Sequence, residues 1–205
     1  MSRMRQELRA ELRERRRSLS PTERIRAAND VAASLLSLPF APQSGYVAGY
    51  WSTDGELALH AWLLGLPSNV IPCLPVLAPG KTLRFAPYFA GDPLQHNRFG
   101  IPEPVYSESS LLTAQDMQLV VMPLVGFDDE GNRLGMGGGF YDRTFAFRTA
   151  PDNAPPPPWL VGVGYDVQAV SVGTFNVEPW DVRPDAICTP TRQLLVRSTA
   201  NSFSH

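Results

Sequence analysis

Residues 133–143 read Arg-Leu-Gly-Met-Gly-Gly-Gly-Phe-Tyr-Asp-Arg, which puts four glycines, two guanidinium groups and a carboxylate into eleven positions. That is the composition of an anion cradle. Lacking Cβ, Gly135, Gly137, Gly138 and Gly139 can take positive φ and turn successive backbone N–H groups toward one oxyanion, with Arg133 and Arg143 bracketing the loop with charge. Two familiar glycine motifs are excluded by inspection. Walker A requires Gly-Lys-Ser/Thr where this chain has Gly139-Phe140-Tyr141, and the dinucleotide fingerprint requires a glycine where Phe140 stands. A mobile turn is the competing reading of any glycine-rich segment, and the flanking arginines weigh against it.

Asp142 fits such a loop only with a partner, because a carboxylate about 4 Å from a phosphate oxygen is repelled by about 4 kcal/mol at an effective dielectric of about 20. Either it turns away, capping a helix or pairing with Arg143, or it holds a Mg²⁺ that also ligates the phosphates. Chemistry alone leaves both open and favours the first slightly.

The elements that must position this loop are partly legible. Leu119–Val125 is a short apolar run of buried-strand type, and Phe140–Phe147 can open a helix whose positive end adds to the anion site. Met4, Leu8 and Leu12 recur every four residues, predicting a surface helix with a narrow apolar stripe over the basic segment 1–19. Ser20-Pro-Thr-Glu23 is a capping box with proline at the first helical position; Ile25, Ala28, Ala32, Leu35 and Leu36 then carry a second helix toward Pro39. Tyr46–Tyr50, Val70–Val76, Thr82–Phe85 and Leu160–Tyr165 read as strands, Leu57–Leu64 and Leu111–Asp116 as helices. Alternation of this kind predicts a three-layer α/β/α sandwich around a mainly parallel sheet. Pro151–Pro158 reads as a stiff surface connection, and residues 193–205 as a polar, peripheral tail.

At 205 residues and 43% hydrophobic composition, the chain suits a single domain burying about 70% of its unfolded surface. A net charge of −2 provides no global field for nucleic acid, and no apolar run is long enough to span a membrane. Lys81 is the only lysine, while seven arginines crowd positions 3–17. Glu7, Glu11 and Glu14 among them argue against a transit peptide. Cys73 and Cys188 are too few for a disulfide scaffold or a zinc site, so a cytoplasmic setting is expected.

The glycine segment, together with Arg5-Gln-Glu-Leu-Arg9, Gly55-Glu-Leu57, Phe99-Gly-Ile-Pro-Glu-Pro104, Pro123, Gly126-Phe-Asp128, Asp181 and Asp185, resembles the 5-formyltetrahydrofolate cyclo-ligase family over about residues 5–190. The resemblance implies a Rossmann-like topology of the sugar-phosphate isomerase and CoA-transferase type. It also implies a monomer that uses ATP and Mg²⁺ to convert 5-formyltetrahydrofolate to 5,10-methenyltetrahydrofolate, with release of ADP and phosphate. By the same resemblance Arg133, Gly137, Gly138, Gly139 and Tyr141 form the phosphoryl-transfer centre. ATP is expected on Arg5, Arg9 and the segment Arg133, Leu134, Gly135, Met136, Gly137–Tyr141, and Mg²⁺ on Asp142 and Asp181. Folate is expected on Tyr50, Glu56, Met136 and Gly137–Phe140. Arg5 replaces the family's lysine, and Met136 and Phe140 replace hydroxyl-bearing residues. Arg13, Arg15, Arg16 and Arg17 are expected to be solvated surface. Among aromatic walls for a flat pterin, Tyr50 and Tyr141 are preferred over Trp51, Phe85 and Tyr88. Two other functions compete: a non-catalytic nucleotide or folate binder, and a sugar-phosphate isomerase-like enzyme on the same architecture.

Overall fold

The computed structural model describes residues 3–149 and 155–196. Residues 151–154 of the proline-rich connection and 197–205 of the tail lie outside the described residues. Among the described residues four α-helices are present, α1 (Arg3–Arg17), α2 (Pro21–Leu36), α3 (His60–Leu64) and α4 (Phe140–Thr144). The strands are β1 (Gly45–Ala48), β2 (Val70–Ala78), β3 (Thr82–Pro87), β4 (Leu94–His96), β5 (Pro102–Pro104), β6 (Met117–Pro123), β7 (Gly126–Phe127), β8 (Arg133–Leu134), β9 (Trp159–Val163), β10 (Ala186–Cys188) and β11 (Gln193–Leu195).

Seven strands form one sheet in the order β11-β10-β9-β6-β1-β2-β3. The five central strands run parallel, and β3 and β11 are antiparallel edges. Side-chain alternation sorts each central strand onto two cores. Val47, Leu119, Val121, Val161 and Val163 pack under α2 and α3, while Ala48, Val120, Met122 and Leu160 pack on the opposite face with Phe85 and Phe145. The mainly parallel α/β architecture read from the alternation is therefore present.

The capping box at Ser20 forms in full, the Ser20 hydroxyl accepting from Glu23 N and the Glu23 carboxylate accepting from Ser20 N. Its helix is rotated from the expected face: Ala27, Val31, Ala32 and Leu35 are buried, and Ile25 is exposed. The predicted helix over Leu57–Leu64 shortens to α3, preceded by extended chain that buries Leu57 and Leu59. Leu111–Asp116 is a 3-10 turn over Ala114–Asp116 rather than an α-helix.

Two further expectations are refined. Residues 193–196, expected as part of a tail, begin with an edge strand: β11 pairs with β10, the Val196 N–H donates to Asp185 O at 2.9 Å, and the Gln193 amide reaches Ser34 O on α2 at 3.0 Å. The helix predicted over Phe140–Phe147 stops at Thr144, where the chain turns to seat the fully buried Phe145 against Phe85.

The sheet winds one way from β1 through β2 to β3, and the other way from β6 through β9 to β10. Its direction reverses between β1 and β6, which is where open α/β sheets form a crevice beyond the carboxyl ends of their strands. α1 lies over that end, with Leu12 buried beside Val125, Leu134 and Phe175.

Candidate functional site

A cavity of about 1220 Å³ opens at this reversal point. Tyr50, two residues past β1, and Pro123, which ends β6, both line it. The glycine loop forms one wall. It does not follow β6 directly as the sequence suggested, because the β7–β8 hairpin intervenes. The Asp128 carboxylate fixes that hairpin's turn by accepting from Glu130 N, Asn132 N and the Asn132 amide at 2.9–3.1 Å. Gly137 (φ +91°) and Gly139 (φ +68°) hold left-handed conformations that side chains strain to adopt. α4, at five residues, is too short to contribute a helix dipole of the expected kind.

Most of the expected site residues converge on the cavity: Arg5, Arg9, Tyr50, Glu56, Arg133 and Asp142 among them, with Gly135–Tyr141 and Asp181. Leu134 is the exception. Its side chain is fully buried in the small core under α1, so only its backbone belongs to the loop.

Of the two readings of Asp142, pairing is observed, with Arg133 rather than Arg143. The Arg133 guanidinium is almost completely buried; it contacts the Asp142 carboxylate and donates from Nε to Val182 O at 2.8 Å. Asp142 in turn accepts from Val182 N at 3.2 Å. The Val182 peptide is thereby gripped by one ion pair, which ties the Asp181 segment to the glycine loop. Arg143 donates to Gly138 O at 2.8 Å and braces the loop from outside.

On the facing wall, Arg5 donates to Asp181 at 3.2 Å and lies 3.9 Å from Glu178. Arg9 Nε donates to Gly135 O at 2.7 Å, joining α1 to the glycine loop. Burial and the neighbouring Arg5 charge lower the pKa of Arg9, opposed by the Asp181 carboxylate. Among the described residues no group of three or more His, Cys, Asp or Glu side chains is arranged to hold a metal ion. Asp142 and Asp181 both line the cavity, each paired with an arginine, Arg133 and Arg5 respectively.

Glu56 also lines the cavity, its carboxylate mostly buried and accepting from Thr53 N at 3.0 Å. Burial raises its pKa, opposed by the Thr53 hydrogen bonds and the Arg16 charge. Tyr50 is buried with its hydroxyl donating to Leu57 O at 2.6 Å, so it offers the cavity a ring rather than a free donor. Tyr141 stacks on Phe145, and burial, helped by the Glu56 charge, raises its phenol pKa well above the ordinary value. Phe85 is core and Tyr88 packs edge-on against Trp51, so of those three only Trp51 lines the cavity.

The least anticipated residue is Arg16. Expected to be solvated, it is fully buried, donating to Asp54 O (2.9 Å), the Asp54 carboxylate (2.8 Å) and Leu124 O (3.4 Å). Arg13 and Arg17 join it on Asp54. Arg5, Arg9, Leu12 and Arg16, spaced four, three and four, form the inward face of α1, while Met4 of the expected stripe is exposed. That spacing is the signal a purely apolar search overlooks. Glu103 was also passed over: it is buried at the cavity wall on the β4–β5 hairpin, accepting from Leu77 N and the Asn97 amide, each at 2.9 Å.

Burial works to raise the Asp54 pKa, but hydrogen bonds from Arg13, Arg17 and Arg16 outweigh it and hold the carboxyl at about 2. A depressed folded-state value stabilises the fold above the unfolded value of about 4 and loses that contribution as pH falls through the folded value. Asp54→Asn should therefore lower the thermal midpoint at neutral pH and flatten its fall under acid. Melting curves collected down to about pH 2 check this.

Cys73 and Cys188 are buried free thiols whose pKa values burial pushes up to about 12 and about 11, which removes them as thiolate nucleophiles. No helix among the described residues is long and apolar enough to cross a membrane.

The 5-formyltetrahydrofolate cyclo-ligase family model matches residues 1–190. The chain is 36% identical over 181 residues to a 5-formyltetrahydrofolate cyclo-ligase of Haemophilus influenzae, covering 87% of this chain and 93% of that one. It is 34% identical over 188 residues to the Escherichia coli protein of that name, covering 88% and 97%. The solution structure of Aquifex aeolicus 5,10-methenyltetrahydrofolate synthetase superposes with a TM-score of 0.79 at 29% identity, covering 98% of this chain and 97% of that one. With the sheet, the glycine loop and the arginine-bearing first helix all in place, the chain belongs to the 5-formyltetrahydrofolate cyclo-ligase family.

Proposed function

We propose that this protein, as one cyclo-ligase domain, converts 5-formyltetrahydrofolate and ATP to 5,10-methenyltetrahydrofolate, ADP and phosphate. The observation that carries the proposal is the cavity itself. At about 1220 Å³ it exceeds the usual range for one drug-sized ligand, and its lining offers two kinds of chemistry. Arg5, Arg9 and the glycine loop bring cations and N–H donors suited to phosphates. Glu56 with the rings of Tyr50 and Tyr141 suits a flat heterocycle bearing N–H donors.

The reaction requires a formamide oxygen to become a leaving group. That oxygen attacks the γ-phosphorus and ADP departs; N10 then attacks the activated carbon, and phosphate leaves as the ring closes. The protein's task is alignment and charge neutralisation. The Gly137–Gly139 backbone would receive the transferring phosphoryl group, with Met136 and Phe140 flanking it toward the folate. Arg133 acts from behind the loop by fixing Asp142 and the Val182 peptide. A Mg²⁺ held by Asp142 and Asp181 would offset the charge on the terminal phosphates. Glu56 would accept hydrogen bonds from the pterin's amino and ring N–H groups.

Mixing protein, 5-formyltetrahydrofolate, ATP and Mg²⁺ should produce the strongly absorbing methenyl product, and omitting either ATP or Mg²⁺ should abolish the rise. A flat trace with active folate and folded protein would end the proposal. Arg9→Ala should raise the KM for ATP about tenfold while leaving that for folate within about twofold, since a single charged hydrogen bond contributes about 1.5–3 kcal/mol. Steady-state kinetics with each substrate varied in turn provide the check.

A further inference from the structure

α1 makes two separate sets of contacts around the site. Near its start Arg5 and Arg9 reach Asp181 and the glycine loop; two turns beyond Arg9, about 10 Å along the axis, Arg16 enters the segment that carries Glu56. That segment is unusual. Asp54 (φ +51°) and Gly55 (φ +75°) are consecutive left-handed residues, and Asp54 adopts the conformation without glycine's freedom. Arg16 grips the strained turn from both sides, Nε on the Asp54 carbonyl and Nη2 on its carboxylate, while Nη1 reaches Leu124 O just past β6. The same Nη2 stands 3.9 Å from Glu56 Oε1.

We propose that Arg16 is the positioning residue for Glu56: it locks the Asp54–Gly55 turn to the end of β6 and supplies the cation that keeps the Glu56 carboxylate charged and aimed at the pterin. The inference rests on the reading of Glu56 as the pterin's acceptor. The groups facing Glu56 make the charge role specific. Tyr50, Tyr141 and Tyr165 are neutral phenols, Asp54 is a like charge that disfavours ionisation, and Arg16 is the cation whose charge favours it, while Arg17 and Arg24 border the adjacent Gly55. A lysine could supply the charge but not the fork, because one ammonium cannot span the Asp54 carbonyl, its carboxylate and Leu124 O together.

Calorimetric binding of 5-formyltetrahydrofolate without nucleotide, and of Mg²⁺–ATP without folate, tests the inference on wild type, Arg16→Met, Arg16→Lys, Glu56→Gln and the Arg16→Met/Glu56→Gln double variant. Arg16→Met should weaken folate about tenfold or more and leave ATP within about twofold, since Arg5 and Arg9 report whether α1 remains docked. The acid limb of folate binding should move to higher pH in Arg16→Met, because a carboxylate without its cation protonates earlier. Arg16→Lys should keep the wild-type acid limb yet still bind folate more weakly. In the Glu56→Gln background, adding Arg16→Met should cost less than about twofold more. Equal losses for folate and ATP, or penalties that multiply in the double variant, would reduce Arg16 to a structural residue and overturn the inference. If Arg16→Met does not fold, the lysine variant decides: an unchanged folate affinity removes the need for the fork and overturns the proposal. Folate binding that ignores Glu56→Gln would sink the assignment of Glu56, and the inference with it. A wild type that binds no folate would overturn the proposed function itself.

Discussion

Asp142→Asn should lower kcat by about 10²–10³-fold, the loss typical when one preorganised charge-stabilising group leaves a transfer centre. Asparagine keeps an acceptor for Val182 N but removes the negative charge beside the buried Arg133 guanidinium. A cost of about 1–3 kcal/mol in folding stability should accompany the catalytic loss, less than for alanine, which would leave Arg133 Nη2 without the side-chain acceptor it contacts and only Nε held, by Val182 O. Activity titrated against Mg²⁺ separates the two roles. If Asp142 is a ligand, the variant needs more Mg²⁺. If it loses rate with wild-type Mg²⁺ dependence, its function is to hold Arg133 and the Val182 peptide in register.

Glu56→Gln should weaken 5-formyltetrahydrofolate about 10- to 100-fold while sparing ATP, because hydrogen bonds to a charged acceptor contribute about 1.5–3 kcal/mol and glutamine presents an N–H₂ where an acceptor is needed. The fold should tolerate the change, since the Thr53 N–H can still find the amide oxygen. Folate binding in the wild type should weaken as pH falls through the raised Glu56 pKa, and Glu56→Gln should lose that dependence. An acid limb that survives in the variant would assign the titration to another group.

Local chemistry was the legible part of the chain. The capping box at Ser20 names its own partners within four residues, and the apolar runs at Val70, Leu119 and Leu160 have the length and composition of buried parallel strands. The glycine segment announced its conformational purpose for the same reason. What depended on distant partners was hidden. Gln193–Leu195 becomes a strand only because β10 offers an open edge. Arg16 looks like one more charge in a basic run until Asp54, 38 residues away, folds over it. Asp142 could not be assigned to Arg133 rather than Arg143 without knowing that the β7–β8 hairpin turns the former back beneath the loop.

The first helix takes Arg5 to Asp181, a partner 176 positions further along the chain. As the polypeptide leaves the ribosome, that helix must wait for nearly everything else to be made before its inner face is covered. A leucine-lined face left open for so long would invite clumping of nascent chains, whereas a face on which three of four inward residues are arginines would be better hydrated until its docking site exists. Refolding from denaturant should therefore be slow for a protein of this size, because its closing contacts span almost the whole sequence.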